Sequence, residues 1–585
     1  IDAINAANLE RFPQFREILV NAGFRSMAIP LQEEVVRSIS KTLYLLWGGA
    51  LFVLMIGVIN IANLALARGS VRIRELATRF ALGAGRWRVT RQLLAESALL
   101  TAAGAGLGLL LGYWSLRLLR YLHIERIPRG SEISLDGSAL SFVLGLSLGA
   151  GLVIGAIPVI QGLRANLNLV FREESRSSTG GRRSRLLRGG LVVTQVAFAL
   201  VLLMGAGLLI ASFRQVVAVR PGFAPEQVVT GSVALPAVRY RGAADRRTFM
   251  HRALERIRAL PGVIHAGATD TIPFGGNYSD SVILAEGYIM QPGESLITGD
   301  NMSVTPRYFD AMRIPLLEGR FFEESDTPDS PPVIIVDQRL ARKFWPDSSP
   351  VGKRMWRPDS PDAFQNPEKA AWFTVAGVVG SVKLRALVDA EERIGSYYFP
   401  YAQQPDSGVT FAVRSAADAG ATIGAMRRVI AEIDPELPFY DTRTMEERVD
   451  NSLVSRRSPM LLSVCFGAVA LFLAAVGIYG VLSYLVAQRT KEIGIRIALG
   501  SDSGGVFQLV FKEGLLITGI GFALGILGSW LLTRYIESVL FGVRPLDPPV
   551  LVVVCLALGI VALSASTLPA RRAARVDPIT ALRQE

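Results

Sequence analysis

One pattern occurs twice in this chain, 417 residues apart. The first copy reads Arg72-Ile-Arg-Glu-Leu-Ala-Thr-Arg79-Phe-Ala81-Leu82-Gly83, and the second Arg489-Thr-Lys-Glu-Ile-Gly-Ile-Arg496-Ile-Ala498-Leu499-Gly500. Arg72, Glu75, Arg79, Ala81, Leu82, Gly83 and Glu96 match Arg489, Glu492, Arg496, Ala498, Leu499, Gly500 and Glu513. An apolar stretch precedes and follows each copy. Matches in one register over this length mark a duplicated unit, and a duplication constrains the fold before any single motif does.

The apolar stretches are long enough to cross a bilayer. Half of the 585 residues are hydrophobic, too many for an ordinary soluble protein. About 20 apolar residues span the hydrocarbon layer as a helix. Seven windows qualify: Leu43–Leu66, Leu93–Leu116, Leu140–Leu163, Leu191–Phe213, Met460–Val486, Leu515–Leu532 and Val550–Leu568. Four segments abutting them, 67–92, 164–188, 486–512 and 571–585, carry +6, +5, +2 and +2, which exceeds the net +12 of the whole chain. With these segments in the cytoplasm the positive-inside rule is met. Residues 1–42, 214–458 and two short turns then lie outside. The arginines sit where topology requires them, which argues against nucleic-acid binding despite a pI near 9.9.

Residues 1–42 read as the tail of an external domain and 43–171 as a first repeat with three spans. Residues 172–188, polar and rich in Gly, Ser and Arg, read as a flexible linker. Residues 189–213 are the leading span of the second repeat, 214–458 a large external domain, and 459–585 its three remaining spans. By symmetry the first repeat lacks a leading span and most of its external domain, so the sequence reads as truncated at its N-terminus. The expected fold is an α-helical membrane protein with seven transmembrane helices in two repeats and an α+β external domain. In that domain Val228–Leu235, Val263–Thr271, Val409–Val413 and Phe439–Thr442 read as strands. Ala244–Leu260 and Ala419–Ile433 read as helices. The two strand–helix–strand units flank a strand-rich insert with Val333–Val336 and Trp372–Val379.

No catalytic constellation stands out. The pattern G-x-x-x-x-G-K-[ST] does not occur, so no P-loop is available to cradle ATP phosphates. Cys465 and Cys555 lie in apolar spans, which excludes a disulfide framework and a Cys/His metal site. The span interiors carry almost no charge, which counts against an ion-coupled carrier. The glycines of 102–112 and 519–528 have small-residue spacing suited to close helix packing.

The repeated cytoplasmic stretch is the leading functional candidate. Residues Arg72–Ala81 and Arg489–Ala498 mix charges with apolar positions at helical spacing, a turn follows, and Arg86–Leu94 continues as a basic helix. A short helix with an apolar ridge and charged rim suits a partner's groove. It would also suit an anionic lipid surface, but lipid does not require acidic residues at fixed positions. Glu96 and Glu513, about one turn inside the following span, would tie it to the cytoplasmic helix through an arginine, or simply reach for water.

These residues resemble the permease subunits of MacB/FtsX-type ATP-binding-cassette transporters, in particular their duplicated, acidobacterial-type variety. Arg489–Gly500 with Glu513 is similar to the permease core, and Pro569-Ala-Arg-Arg-Ala-Ala-Arg-Val-Asp-Pro-Ile-Thr-Ala-Leu-Arg583 to the C-terminal signature. Its first-repeat counterpart, Pro158 to Glu174, lacks Asp-Pro. Val304-Thr-Pro-Arg-Tyr308-Phe, Leu317-Glu-Gly-Arg320 and Pro350-Val-Gly-Lys353 resemble the external-domain pattern. The resemblance implies a bacterial inner-membrane permease without catalytic residues or cofactor. A separate cytoplasmic ATPase would bind the ATP and dock on Arg72, Glu75, Arg79, Leu82, Gly83 and Arg86 and on Arg489, Glu492, Arg496, Leu499 and Gly500. It implies mechanical work on the external domain, with membrane lipid and an external adaptor as further partners. Both halves in one chain would form a covalent pseudo-dimer. The second docking segment departs after Gly500, where Ser501-Asp-Ser-Gly-Gly replaces Ala84-Gly-Arg-Trp-Arg. Export of a peptide, antibiotic or lipoprotein-like cargo is the leading reading. A signalling scaffold that regulates an envelope protein without transport, and a scaffold uncoupled from any ATPase, are the alternatives.

Overall fold

The computed structural model describes residues 2–11, 13, 16, 27–31, 33–34, 40–82, 85–121, 135–164, 179–289, 294, 296–358, 363, 366–388, 393–488, 493, 495, 499 and 503–574. They divide into two compact units, 1–31 with 216–454 and 32–215 with 455–585.

The second unit is helical. After a short helix α1 (Asp2–Arg11) of the first unit, the first repeat supplies α2 (Ser40–Ala81), α3 (Arg86–Tyr121) and α4 (Gly137–Arg164). α5 (Thr179–Val217) leads the second repeat. Among the described residues six helices are long and apolar enough to cross a membrane, and in α4 the described apolar stretch is Gly137–Leu152. α5 begins at Thr179, so residues 179–188 are helical and not the flexible linker expected from their composition. Extending a helix already nucleated by an apolar span costs little per residue, and that outweighs local Gly and Ser content.

The first unit is an α+β domain. Its elements are β1 (Val228–Ala234), α6 (Ala243–Arg258), β2 (Val263–Thr269), β3 (Asp280–Val282), β4 (Leu284–Ala285), β5 (Thr298–Val304), α7 (Tyr308–Met312), β6 (Leu316–Gly319), β7 (Val333–Asp337), α8 (Gln338–Phe344), β8 (Arg354–Arg357), β9 (Ala371–Val379), β10 (Ser396–Pro400), β11 (Gly408–Ser415), α9 (Ala419–Ile433), β12 (Tyr440–Thr444) and α10 (Met445–Ser452). The strand–helix–strand units and the insert strands stand where the sequence places them, within a few residues. The sheet runs β12-β1-β11-β2-β5-β10-β7-β9-β8-β4. Its two parts meet at β2 and β5, which share a single registered pair, Thr269 with Val304. On one side Phe249, Leu254 and Ile257 of α6 and Met426 and Ile430 of α9 cover β1, β11 and β2. On the other, Phe373, Phe399, Tyr397 and Trp356 form a separate core.

The remaining membrane helices are α11 (Val454–Gln488), α12 (Ser503–Ile536) and α13 (Pro548–Ala574). The repeat is preserved in side-chain detail. Thr101 Oγ1 donates to the Ser97 carbonyl (2.6 Å) and Thr518 Oγ1 to the Gly514 carbonyl (2.8 Å), at equivalent positions of α3 and α12.

Packing of the glycine-rich stretches is unequal, which corrects the common explanation drawn from their spacing. A Cβ on Gly525 would meet Leu200 Cβ at 2.9 Å, and one on Gly521 would meet Val196 Cγ1 at 2.7 Å, so α12 lies tightly on α5. A Cβ on their first-repeat equivalents Gly108 and Gly104 would meet nothing within 4 Å among the described residues. Spacing alone carries no information on whether a neighbour is present.

Candidate functional site

The first copy of the repeated stretch is the end of α2, and the turn after Ala81 leads towards α3. Arg79 Nη1 donates to Gln92 Oε1 (3.0 Å), and Gln92 Nε2 donates to Glu96 Oε1 (3.3 Å). Arg79 and Glu96 are thus linked through Gln92, across the turn. Gln92, which the sequence reading did not single out, is the intermediary between the two. The amide can accept from the guanidinium and donate to the carboxylate at once. In the second repeat Leu509 stands at the Gln92 position.

At the turns themselves Leu82 and Leu499 are each 83% exposed, and Trp87 is 74% exposed. Two large apolar side chains thus stand equally bare at equivalent corners of the two repeats. Arg72, Glu75 and Arg86 lie on α2 and α3 at positions whose side chains are outside the described ones. Gly83, Arg489, Glu492, Arg496 and Gly500 lie outside the described residues.

Within the bundle the structure brings together polar residues that a charge count passes over. Asn60 of α2 and Gln195 of α5 both donate to the Leu473 carbonyl of α11, at 2.9 and 2.5 Å. Both are buried, as are Asn63 and Arg188 beside them. Arg188 Nη2 donates to the Leu66 carbonyl (2.8 Å), and its guanidinium lies 3.9 Å from the Tyr484 ring centre. Interhelical amide bonds of this kind hold membrane helices where apolar contact alone gives no preference over lipid. The signal available in the sequence was Asn60 and Asn63, one helical turn apart on one face of an otherwise apolar span.

The external domain is braced by buried arginines. Arg414, 1% exposed, donates to the carbonyls of Ala311 (2.9 Å), Glu226 (2.6 Å) and Ala224 (2.8 Å). Arg448 reaches Thr230 Oγ1 (2.8 Å) and Asp441 Oδ2 (2.7 Å). Beside the narrow β2–β5 junction a polar cleft is lined by Asp270, Asp280, Asn301, Ser303, Arg357 and Asp406, among others. Burial pushes the Asp270 carboxyl up to about 7, and the nearby Asp406 charge adds to the shift.

An FtsX-like permease C-terminal family model matches twice, at residues 47–167 and 464–578, so the matches begin at the same 417-residue offset as the sequence repeat. A MacB-like periplasmic core domain model matches residues 138–429. The chain belongs to the MacB/FtsX-type ABC transporter permeases. This permease is 24% identical over 305 residues to a macrolide export ATP-binding/permease protein MacB of Neisseria gonorrhoeae, covering 49% of this chain and 44% of that protein. It is 29% identical over 291 residues to the MacB of Rhodospirillum rubrum, covering 48% and 42%. The chain thus matches less than half the length of these curated relatives. Among solved structures, the periplasmic region of MacB from Actinobacillus actinomycetemcomitans aligns with 40% of this chain and 95% of that one, at 13% identity and a TM-score of 0.26. The permease is a multi-pass membrane protein with an external α+β domain.

The external-domain motifs of the permease are packing and turn devices. Gly319 has φ +75°, and a Cβ there would lie 2.8 Å from Gly377 Cα, so only glycine fits. The adjacent Arg320 makes a bidentate pair with Asp326, at 2.7 and 2.8 Å. Thr305 Oγ1 accepts from the Ala268 amide (2.7 Å) and ties β5 to β2.

Proposed function

We propose that this permease couples a separate cytoplasmic ATPase to movement of its external domain, for export of a peptide, antibiotic or lipoprotein-like cargo from the outer face of the bacterial inner membrane. The observation that carries the reading is the pair of bare corner leucines, Leu82 and Leu499, at equivalent turns of a duplicated unit. Two equivalent apolar corners suit two equivalent grooves on a dimeric partner. The permease matches relatives named for macrolide export and ATP binding, over less than half of their length. ATP would act through that partner, with no cofactor bound by the permease itself. An external adaptor is a further partner suited to such a system. The seven spans would form a one-chain pseudo-dimer, because residues at equivalent repeat positions of α2 and α11 touch one another.

The test is co-purification of a candidate ATPase with the full chain and with a Glu75→Lys, Glu492→Lys double variant. Charge reversal adds to the positive-inside bias and so should spare insertion. Loss of the ATPase from a folded, inserted double variant supports the docking role of the two stretches. Retention at the unmutated level refutes it.

A further inference from the structure

Arg188 stands at the linker end of the α5 span and is 3% exposed. Its Nη2 and its guanidinium face are occupied by Leu66 of α2 and Tyr484 of α11. Its Nε has no hydrogen-bond partner among the described residues. The same holds for both Nδ2 and Oδ1 of Asn63, which is 6% exposed. Arg188, Asn63 and Asn60 line one small, partly open space of about 20 Å³, bounded also by Leu64 of α2 and by Gly477, Gly480 and Tyr484 of α11. A space of roughly 10–15 Å³ suffices for one water molecule, provided polar partners surround it. Burying an unsatisfied amide and part of a charged guanidinium together is expensive, and three such atoms on residues that line one space point to a shared partner.

We propose that this space binds one small hydrogen-bonding species, a water molecule or a chloride ion, and that the filled site fastens α2 to α11. Either species accepts from Arg188 Nε. Water then donates to Asn63 Oδ1, whereas chloride accepts from Asn63 Nδ2 and neutralises the arginine. Arg188 grips the two helices at nearly equivalent repeat positions, since Leu66 corresponds to Ser483, the neighbour of Tyr484. Leu66 precedes Arg72 by six residues and Tyr484 precedes Arg489 by five, so the clamp sits where each helix leads into its repeated stretch. That consequence rests on the proposed coupling role of the stretches, whereas the site itself does not.

The full chain, purified without any ATPase and with Cys465 and Cys555 replaced by alanine, is tested for melting temperature in chloride and in gluconate. A second readout is the distance distribution between spin labels introduced as Leu82→Cys and Leu499→Cys. Asn63→Leu gives a sign test. With the site filled, it strips the bound species of a partner and lowers the melting temperature. With the site empty, it removes an unsatisfied amide and raises it. Arg188→Gln is expected to broaden the label distances and Arg188→Lys to restore them in part. A melting temperature that depends on chloride in the unmutated chain but not in Arg188→Gln identifies the halide, and independence of the anion identifies water. An unchanged or raised melting temperature in Asn63→Leu overturns the proposal even if Arg188→Gln does not fold. A narrow, Arg188-dependent distance in a protein that binds no ATPase would refute the coupling role alone.

Discussion

Asn60 and Gly477, equivalent residues of the two repeats, meet face to face: a Cβ on Gly477 would lie 2.5 Å from Asn60 Oδ1. Gly49 and Phe466, another equivalent pair, also touch, with a Cβ on Gly49 2.8 Å from Phe466 Cδ2. Residues that contact their own counterparts mark the axis of an isologous interface. In this chain both contacts are asymmetric, because each pair sets a larger side chain against glycine. Gly477→Val should therefore overpack the junction of α2, α5 and α11 and lower stability by about 1–3 kcal/mol, seen as a lower melting temperature of the purified chain.

Equivalent glycines should respond unequally. Gly525→Leu drives a side chain into Ala197 and Leu200 and should destabilise the bundle by at least about 2 kcal/mol. A Cβ on Gly108 would meet nothing within 4 Å among the described residues, so Gly108→Ala should gain about 0.5–1 kcal/mol of helix propensity. Melting temperatures of the two variants, measured side by side, check the asymmetry.

The relay across the first turn should matter for coupling rather than for folding. Gln92→Leu gives the first copy the residue that the second already has at Leu509. The side chain is exposed, so the change in melting temperature should fall within the effect of about 0.5 kcal/mol. If the stretch docks an ATPase, the amount of co-purified ATPase should drop several-fold, since Arg79 loses its hydrogen bond to Gln92.

Arg414→Met removes three donors and leaves the carbonyls of Ala311, Glu226 and Ala224 without them. The expected loss is about 2–4 kcal/mol, because each buried acceptor left alone costs about 1–3 kcal/mol. Hydrogen exchange of the β11 and β1 amides should accelerate, while that of the membrane helices should not.

Asp270 should give the external domain a pH dependence. Burial raises its folded pKa to about 7 from an ordinary 3.8, so the protonated form is favoured by folding. Its contribution is fully present below pH 4 and is lost as the pH rises through 7. Asp270→Asn keeps an oxygen to accept from the Ser303 amide, now 3.0 Å from Asp270 Oδ1. The variant should lack this slope and exceed the unmutated chain at pH 8 by an amount on the order of a few kcal/mol. Exchange rates of the β2 and β5 amides across pH 5–8, corrected for intrinsic exchange, provide the check.

Much of the architecture was legible because its signals are local and repeated. Long apolar windows predict helices, and α9 stands at the predicted residues. The segments beginning at Val228, Val263 and Val333 read as strands, and strands stand there. Leu82 and Leu499 were found because the duplication marks them twice. Gln92 escaped because it occurs in only one copy. Arg188 was assigned to a linker by its neighbours' composition, although the helix of the following span reaches back over it. Asn60, Asn63 and Gln195 passed unremarked because a tally of charges does not weigh uncharged amides in a membrane.

The sequence by itself determined that this is a duplicated membrane protein with one large α+β domain, since hydropathy, charge bias and a fixed offset are properties of the chain alone. Only the tertiary structure decided which residues of the two copies meet. The pairing of Asn60 with Gly477, the burial of Arg188 against Leu66 and Tyr484, and the covered face of Gly525 beside the bare face of Gly108 all depend on helices brought together from distant parts of the chain. Such contacts leave no periodic trace in either segment, because the partner that gives each residue its role lies more than 100 positions away.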